Sequence, residues 1–286
     1  MSLPAPLTPS VGGLTIYPLK SAAGIPVDEL TLDDRGAIGD RRWLLVDPAG
    51  DAITARETHA LLHVQPRFAS ANRDGSLMLD APNHPTCVVP VPDASAEERT
   101  VVIWKDAVSA LDAGDDVAEW CSDAIGRACR LVRLDDSAAR PLKHKYAGPL
   151  AADGRRVAFS DGAPLMLLGH GSIAALNARL ALRGHTESMD YRRFRANVWL
   201  DATGPHEEDT WRRVRIGSVE LGMGSLCVRC VLTTVHPDTL ARGVEPLRSF
   251  GEYRRVADGV AFGVNATHAA PGSMRVGDTV HVVEAR

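Results

Sequence analysis

Cys227-Val228-Arg229-Cys230, followed by Val231-Leu232-Thr233-Thr234-Val235-His236-Pro237-Asp238, is the most chemically loaded stretch of the chain. A thioredoxin-type pair needs its first cysteine at the start of a helix in a βαβ setting, where the helix dipole lowers the thiol pKa. The run after Cys230 is rich in β-branched residues and reads as a strand, which argues against that fold. A structural zinc site needs four ligands. No second Cys-x-x-Cys occurs, and His236 has no partner at finger spacing. A single thiolate ligand for a soft transition metal, with Arg229 as the neighbouring positive charge, is a third reading. Plain core packing of two small sulfur side chains is the fourth. The stretch alone leaves these open.

Outward from this stretch, short strand-like runs dominate. Val214-Arg215-Ile216 and Val219-Glu220-Leu221 flank Gly217-Ser218 as a hairpin, and Met274 to Glu284 reads as strand, Gly277-Asp278 turn, strand. In the first third, Leu14-Thr15-Ile16-Tyr17, Ser76 to Leu79 and Val101 to Trp104 read as strands. Trp43 to Val46 and Ala52 to Ala55 read as a hairpin across Asp47-Pro48-Ala49-Gly50. Helical spacing begins only at Asp115, with Val117, Trp120, Cys121 and Ala124 on one face. A second helix is expected after Ser172 as N-cap, stopping at Gly184, and a third within Pro246 to Val256. Asn197 to Leu200 reads as a buried strand. The expected class is α+β and β-rich, with barrel-like units and a few helices. The polar stretch Asp135 to Arg156, with Pro141, Gly148, Pro149 and Gly154, is the best boundary, dividing 11–134 from 135–286.

Composition narrows the class of function. The 286 residues are 45% hydrophobic and 24% charged, which excludes a disordered or collagen-like chain. The net charge of −4 argues against a nucleic-acid polymer as partner. Four of the 32 basic residues are lysine and the rest arginine, the better residue for planar, bidentate anion contacts. Five scattered cysteines argue against a disulfide framework and for a reducing, cytoplasmic setting. The Pro-rich start lacks the pattern of a signal peptide, and no apolar run reaches membrane-spanning length.

Three further features carry chemistry. Lys20 ends a strand in Tyr17-Pro18-Leu19-Lys20-Ser21, near Gly39-Asp40-Arg41-Arg42-Trp43. Tyr191-Arg192-Arg193-Phe194-Arg195-Ala196-Asn197 leads into the buried strand, and strand alternation places Arg195 and Asn197 on one face. Ser160-Asp161-Gly162-Ala163-Pro164 is a turn whose amides suit an anion.

Taken in order, YPLKS, GDRRW, TARE, FSDGAP, FRAN, CVRC-LTTV-PDT and Phe262-Gly263-Val264-Asn265 resemble the MOSC-domain proteins. The likeness is strongest to members with an N-terminal β-barrel domain, including amidoxime-reducing components and bacterial relatives. The resemblance implies a molybdenum-molybdopterin cofactor with Cys230 as metal ligand and catalytic residue. It implies pterin-phosphate contacts from Lys20, Ser21, Arg41, Arg195 and Asn197. Further hydrogen bonds would come from the turn of Asp161, Gly162 and Ala163 and from the Val228-Arg229 backbone, and Asn265 would reach the cofactor from a C-terminal loop. The implied activity is reduction of small N-hydroxylated compounds (amidoximes, hydroxylamines, N-hydroxylated bases) by oxygen-atom transfer, with a cofactor or sulfur carrier as the alternative. With no flavin fingerprint and no Cys-rich cluster run in the sequence, electrons are expected from a separate reductase or redox carrier. The sequence departs from the family pattern at Ala196, His236 and Leu240, where Pro, Asp and Gly are usual. His236 is either a proton route or a surface substitution.

Overall fold

The computed structural model describes residues 8–70, 75–93, 95–151 and 154–286, so the first seven residues of the Pro-rich start lie outside the described residues. Four sheets dominate, with three α-helices among the described residues: Asp115–Ile125 (α1), His170–Ala181 (α2) and Leu247–Tyr253 (α3). This is the α+β, β-rich class read from the sequence. No helix of the described residues is long and apolar enough to cross a membrane.

The largest sheet holds nine strands. From edge to edge run Val280–Ala285, Trp211–Ile216, Val219–Val228, Gly259–His268, Leu165–Gly169, Val198–Asp201, Ser10–Ile16 and Ile25–Val27. Arg255–Val256 adds a short strand on Gly259–His268. The alternating apolar residues of Ser10–Ile16 complete this sheet: Leu14 lies opposite Val198, and Val11, Leu14 and Ile16 enter the same core as Val214, Leu221 and Val264. The start of the chain therefore delivers residues 17–21 beside residues 194–197. Leu165–Gly169 and Val198–Asp201 run parallel. Parallel neighbours need a crossover, and α2 supplies it with Ile173, Leu176 and Leu180 buried.

Between residues 43 and 134 the chain forms a four-stranded antiparallel sheet (Trp43–Val46, Arg130–Leu134, Asp106–Asp112, Glu98–Ile103) and a meander (Gln65–Phe68, Leu77–Asp80, Cys87–Val89). Helix α1 closes one side, with Cys121 and Cys129 inside the core beside Val117 and Ile125. Burial pushes both thiols up, so they pack as small apolar groups. All five cysteines are free.

Two local expectations are corrected. Ser172 is not the N-cap of α2. Gly169 holds that position, and Ser172 lies buried in the first turn, donating to the buried Glu208 carboxylate at 2.7 Å. Glu208 also accepts from the Gly169 amide at 3.2 Å, so a carboxylate from a distant segment caps the helix. The strand, turn, strand expected from Met274 to Glu284 is present as Gly272–Arg275 and Val280–Ala285, but these two strands do not pair with each other. They pair with Glu29–Asp33 and Trp211–Ile216 respectively, because the amides of Val276 and Gly277 are taken by Asp28 and Val11 carbonyls. The hairpin after Trp43–Val46 is reduced to one bridge, Val46 to Ala52, because the chain turns away at Thr54, whose carbonyl accepts from Glu57.

Two substitutions test this packing. Alanine in a helix is favoured over glycine by about 1 kcal/mol. A Cβ on Gly171, however, would lie 2.0 Å from the Thr203 carbonyl oxygen. Gly171→Ala should lower the melting temperature, at a cost of about 1–3 kcal/mol. His206 stacks edge-on against Phe262 with its Nδ1 buried and unpartnered. Burial, then Arg254 and Arg179, push its pKa from 6.5 down to about 4. The unfolded chain thus binds the proton first, and stability should fall by up to about 3 kcal/mol as the pH drops through that window. His206→Asn, tolerated in the left-handed backbone there (φ 60°), should flatten that loss in urea unfolding series.

Candidate functional site

Three segments far apart in sequence are laced by their backbones. Arg41 N–H donates to the Tyr17 carbonyl at 2.8 Å, Lys20 N–H to Trp43 at 2.9 Å, and Phe159 N–H to Arg41 at 3.0 Å. Asn197 continues the lacing, accepting from Thr15 N–H and donating to Met166, both at 2.9 Å. The fully buried Trp43 anchors the middle segment in the core.

At the crossing point sits a buried polar cluster. Asp40 accepts from the Tyr17 amide at 2.8 Å and from Arg41 Nη1 at 2.5 Å. Arg41 Nη1 also donates to Asn197 Oδ1 at 2.9 Å. Both N–H bonds of the Asn197 amide are spent, on Thr15 O and Asp40. Asn197 therefore orients Arg41 and leaves no N–H for a ligand. The Tyr17 ring lies 4.4 Å from the Arg41 guanidinium and 4.2 Å from that of Arg195. Burial pushes the Tyr17 phenol up to about 12 and pulls Arg195 down to about 10, so at neutral pH the phenol is neutral and Arg195 charged.

Arg195 and Asn197 meet for a different reason than strand alternation. The strand begins at Val198, and Arg195 is the left-handed cap of a short 3-10 helix, Tyr191–Phe194. Ser21, Arg41 and Arg195 all have positive φ (71°, 49° and 54°). Such backbone costs of order 1 kcal/mol per non-glycine residue and persists where the surroundings fix it.

Lys20 is buried, donating to the Phe159 carbonyl at 2.8 Å and to the Asp161 carboxylate. Burial lowers the Lys20 pKa while Asp161 opposes the shift. The same turn is gripped beneath by buried Arg140, which donates to Ala158 and Ser160 carbonyls at 2.7 and 2.6 Å. Gly162 lies under the Tyr146 ring, 2.6 Å from where a Cβ would sit.

Cys227 and Cys230 are half-buried. Residues Val231–Thr234 form a 3-10 helix, not the expected strand, because the Thr233 and Thr234 hydroxyls donate to the Cys230 and Val231 carbonyls. The strand lies upstream, as Val219–Val228. The Arg229 side chain turns to Cys227 Sγ at 3.0 Å and the Phe194 carbonyl at 2.6 Å, so its contact is with the first cysteine and not Cys230. The Arg229 amide is spent on Val260 O at 2.8 Å, which leaves it unavailable to a ligand. Asn265 lies on the strand Gly259–His268, not on a loop, and donates to Ser225 at 3.2 Å.

All twelve residues singled out in the sequence (Lys20, Ser21, Arg41, Asp161, Gly162, Ala163, Arg195, Asn197, Val228, Arg229, Cys230 and Asn265) line one cavity of about 550 Å³. Seven basic side chains line it against two acidic ones, Asp161 and Asp258, so its field selects an anion. Arg56, Arg193, Lys145, Trp104 and Tyr146 also line it. Sequence reasoning gave these no role, although Arg56 stands in the TARE motif. His236 is not a lining residue. Its Nδ1 accepts from the Asp238 and Thr239 amides at 3.2 and 3.3 Å, as an aspartate would in such a turn. Leu240 completes that turn in left-handed backbone (φ 57°), which explains why glycine suits the position. Asp190, His236 and Asp238 come close enough to hold a cation, but Arg192 already pairs with both carboxylates.

The β-rich fold is that of a MOSC protein. Residues 8–128 match the MOSC N-terminal beta barrel domain and residues 154–281 the MOSC domain. The mitochondrial amidoxime reducing component 2 of Rattus norvegicus is 33% identical over 288 residues, covering 95% of this chain and 82% of that protein. The mitochondrial amidoxime-reducing component 1 of Mus musculus is 30% identical over 289 residues, covering 96% and 82%. The molybdenum cofactor sulfurase of Danio rerio is 29% identical over 89% of this chain and 31% of its own length. The chain belongs to the MOSC-domain family, in the form that carries the N-terminal MOSC β-barrel domain.

The Tyr17 ring separates two effects. Tyr17→Phe should cost about 1 kcal/mol in urea unfolding, the worth of the hydroxyl bond to Ala196 O at 3.1 Å. Tyr17→Leu should cost at least about 1 kcal/mol more, because both guanidinium contacts are lost as well.

Proposed function

We propose that this chain binds a molybdenum-molybdopterin cofactor and reduces small N-hydroxylated compounds by oxygen-atom transfer. The observation that carries the reading is one cavity with buried cations and a half-buried free thiol in its wall. The residues suit the group. The phosphate of a pterin cofactor carries about two negative charges. Lys20, Arg41 and Arg195 offer charge-assisted donors for it. Ser160 Oγ, Arg193 Nε and Arg229 Nε are buried polar atoms in that wall with no protein partner.

Cys230 would be the metal's protein ligand, in the thiolate form that metals bind. Its carbonyl accepts from the Thr233 amide and hydroxyl at 3.2 and 3.0 Å, which fixes the backbone carrying the sulfur. Cys227 is engaged by Arg229 and serves that arginine's placement. Ser21 and the Gly162-Ala163 turn would contact the phosphate and pterin, while Asn197 holds Arg41 toward them. When bound and reduced, the cofactor would supply two electrons to the substrate as it takes up the oxygen atom. Electrons would come from a separate reductase or redox carrier, and the five free thiols fit a reducing compartment such as the cytoplasm.

Protein purified from a molybdenum-replete culture should contain near-stoichiometric molybdenum and yield oxidised-pterin fluorescence. Cys230→Ala should lose most of the metal, while Cys227→Ala should retain it. Absence of metal and pterin from the unaltered protein defeats the proposal. Loaded protein that fails to consume benzamidoxime with an artificial reductant would instead be a cofactor or sulfur carrier.

A further inference from the structure

The two carboxylates beside the site's cations are held in contrasting ways. Asp40 is fixed: it is buried and accepts from a backbone amide, an asparagine and Arg41. Asp161 is held by side-chain cations, Lys20 and, at 3.1 Å, Arg56. Its side chain is 55% exposed while Lys20 beneath it is 7% exposed. Arg56 rests on the Trp104 ring at 4.3 Å, and the Lys20 ammonium lies 5.7 Å from the same ring. The neighbouring cations Lys20, Arg56 and Arg41 hold the Asp161 carboxyl ionised, well below its usual range. Beside it, Ser160 Oγ is buried, lines the cavity and has no partner.

We propose that Asp161 is an internal stand-in for the ligand's phosphate, clamped between Lys20 and Arg56 until the anion displaces it, and that Arg56 is a further phosphate-binding residue. This rests on the phosphate-bearing ligand of the proposed function. A buried lysine without an anion is costly, and the swinging carboxylate spares the empty protein that cost. On binding, Lys20 and Arg56 exchange one carboxylate for phosphate oxygens, and Asp161 moves into the solvent it already half faces. Ser160 Oγ gains the acceptor it lacks. The side chain of Asp161 is then a competitor of the phosphate, and only the backbone of the turn is left to bind it.

The test uses cofactor-free full-length protein titrated with inorganic phosphate in a calorimeter at fixed ionic strength. Asp161→Asn should bind phosphate about fivefold more tightly, as loss of a half-exposed competing charge requires. Arg56→Gln should weaken binding, and in the Arg56→Gln background the gain from Asp161→Asn should shrink. Thermal unfolding supplies a second readout: Asp161→Asn should melt below the unaltered protein in buffer and recover in phosphate. Equal or weaker phosphate binding by Asp161→Asn, or a melting deficit that phosphate does not restore, makes Asp161 a structural brace and overturns the proposal. Failure of the phosphate gain in a protein that still carries molybdenum sinks this inference alone. A phosphate gain in a protein that never acquires molybdenum or pterin sinks the proposed function alone.

Discussion

The buried cluster of Asp40, Arg41, Asn197 and Tyr17 is the point on which the site depends. Its members come from three segments, at Tyr17, Asp40-Arg41 and Asn197, and their hydrogen bonds tie these segments together. Asn197 satisfies Arg41, Asp40, the Thr15 carbonyl and the Met166 amide at once. A polar network this buried is stabilising only when nearly every donor and acceptor is used, because an orphaned charge in low dielectric is costly. Its reward is position. The Arg41 guanidinium cannot relax onto the surface, and neither can the Arg195 side chain held by the Ala22 carbonyl at 2.7 Å.

The resulting cavity concentrates positive charge that the composition hides. A net charge of −4 spread over 286 residues gives no hint of seven cations lining one pocket. The balance is kept by dedicated counter-ions, Asp40 and Asp161, one fixed and one exposed. Positive φ at Ser21, Arg41 and Arg195 belongs to the same economy: side chains are aimed by strained backbone that the surrounding hydrogen bonds hold in place.

Much of this was legible in the residues. Periodicity located α1 and its buried Cys121, the Val214–Leu221 hairpin, and the strand after Asn197. The motifs named twelve of the residues that line the cavity. What failed did so for identifiable reasons. Threonine hydroxyls that bond their own backbone turned a β-branched run into a 3-10 helix. A distant carboxylate, Glu208, displaced Ser172 as the cap of α2. Arg56 went unassigned because nothing in TARE indicates that it faces Asp161, 105 residues away in sequence.

By itself, then, the sequence determined the β-rich class, the packing role of Cys121 and Cys129, and the ordered motifs of a MOSC chain. Local residue types, apolar period and motif order carry that information along the chain. Only the tertiary structure decided which atoms are free. It commits the Arg229 amide to Val260, its guanidinium to Cys227, and the Asn197 amide to Asp40 and Thr15. It leaves Ser160 Oγ without a partner beside a half-exposed carboxylate. Hydrogen-bond capacity is spent between segments that are remote in sequence, so no reading of one segment can tell what remains for a ligand.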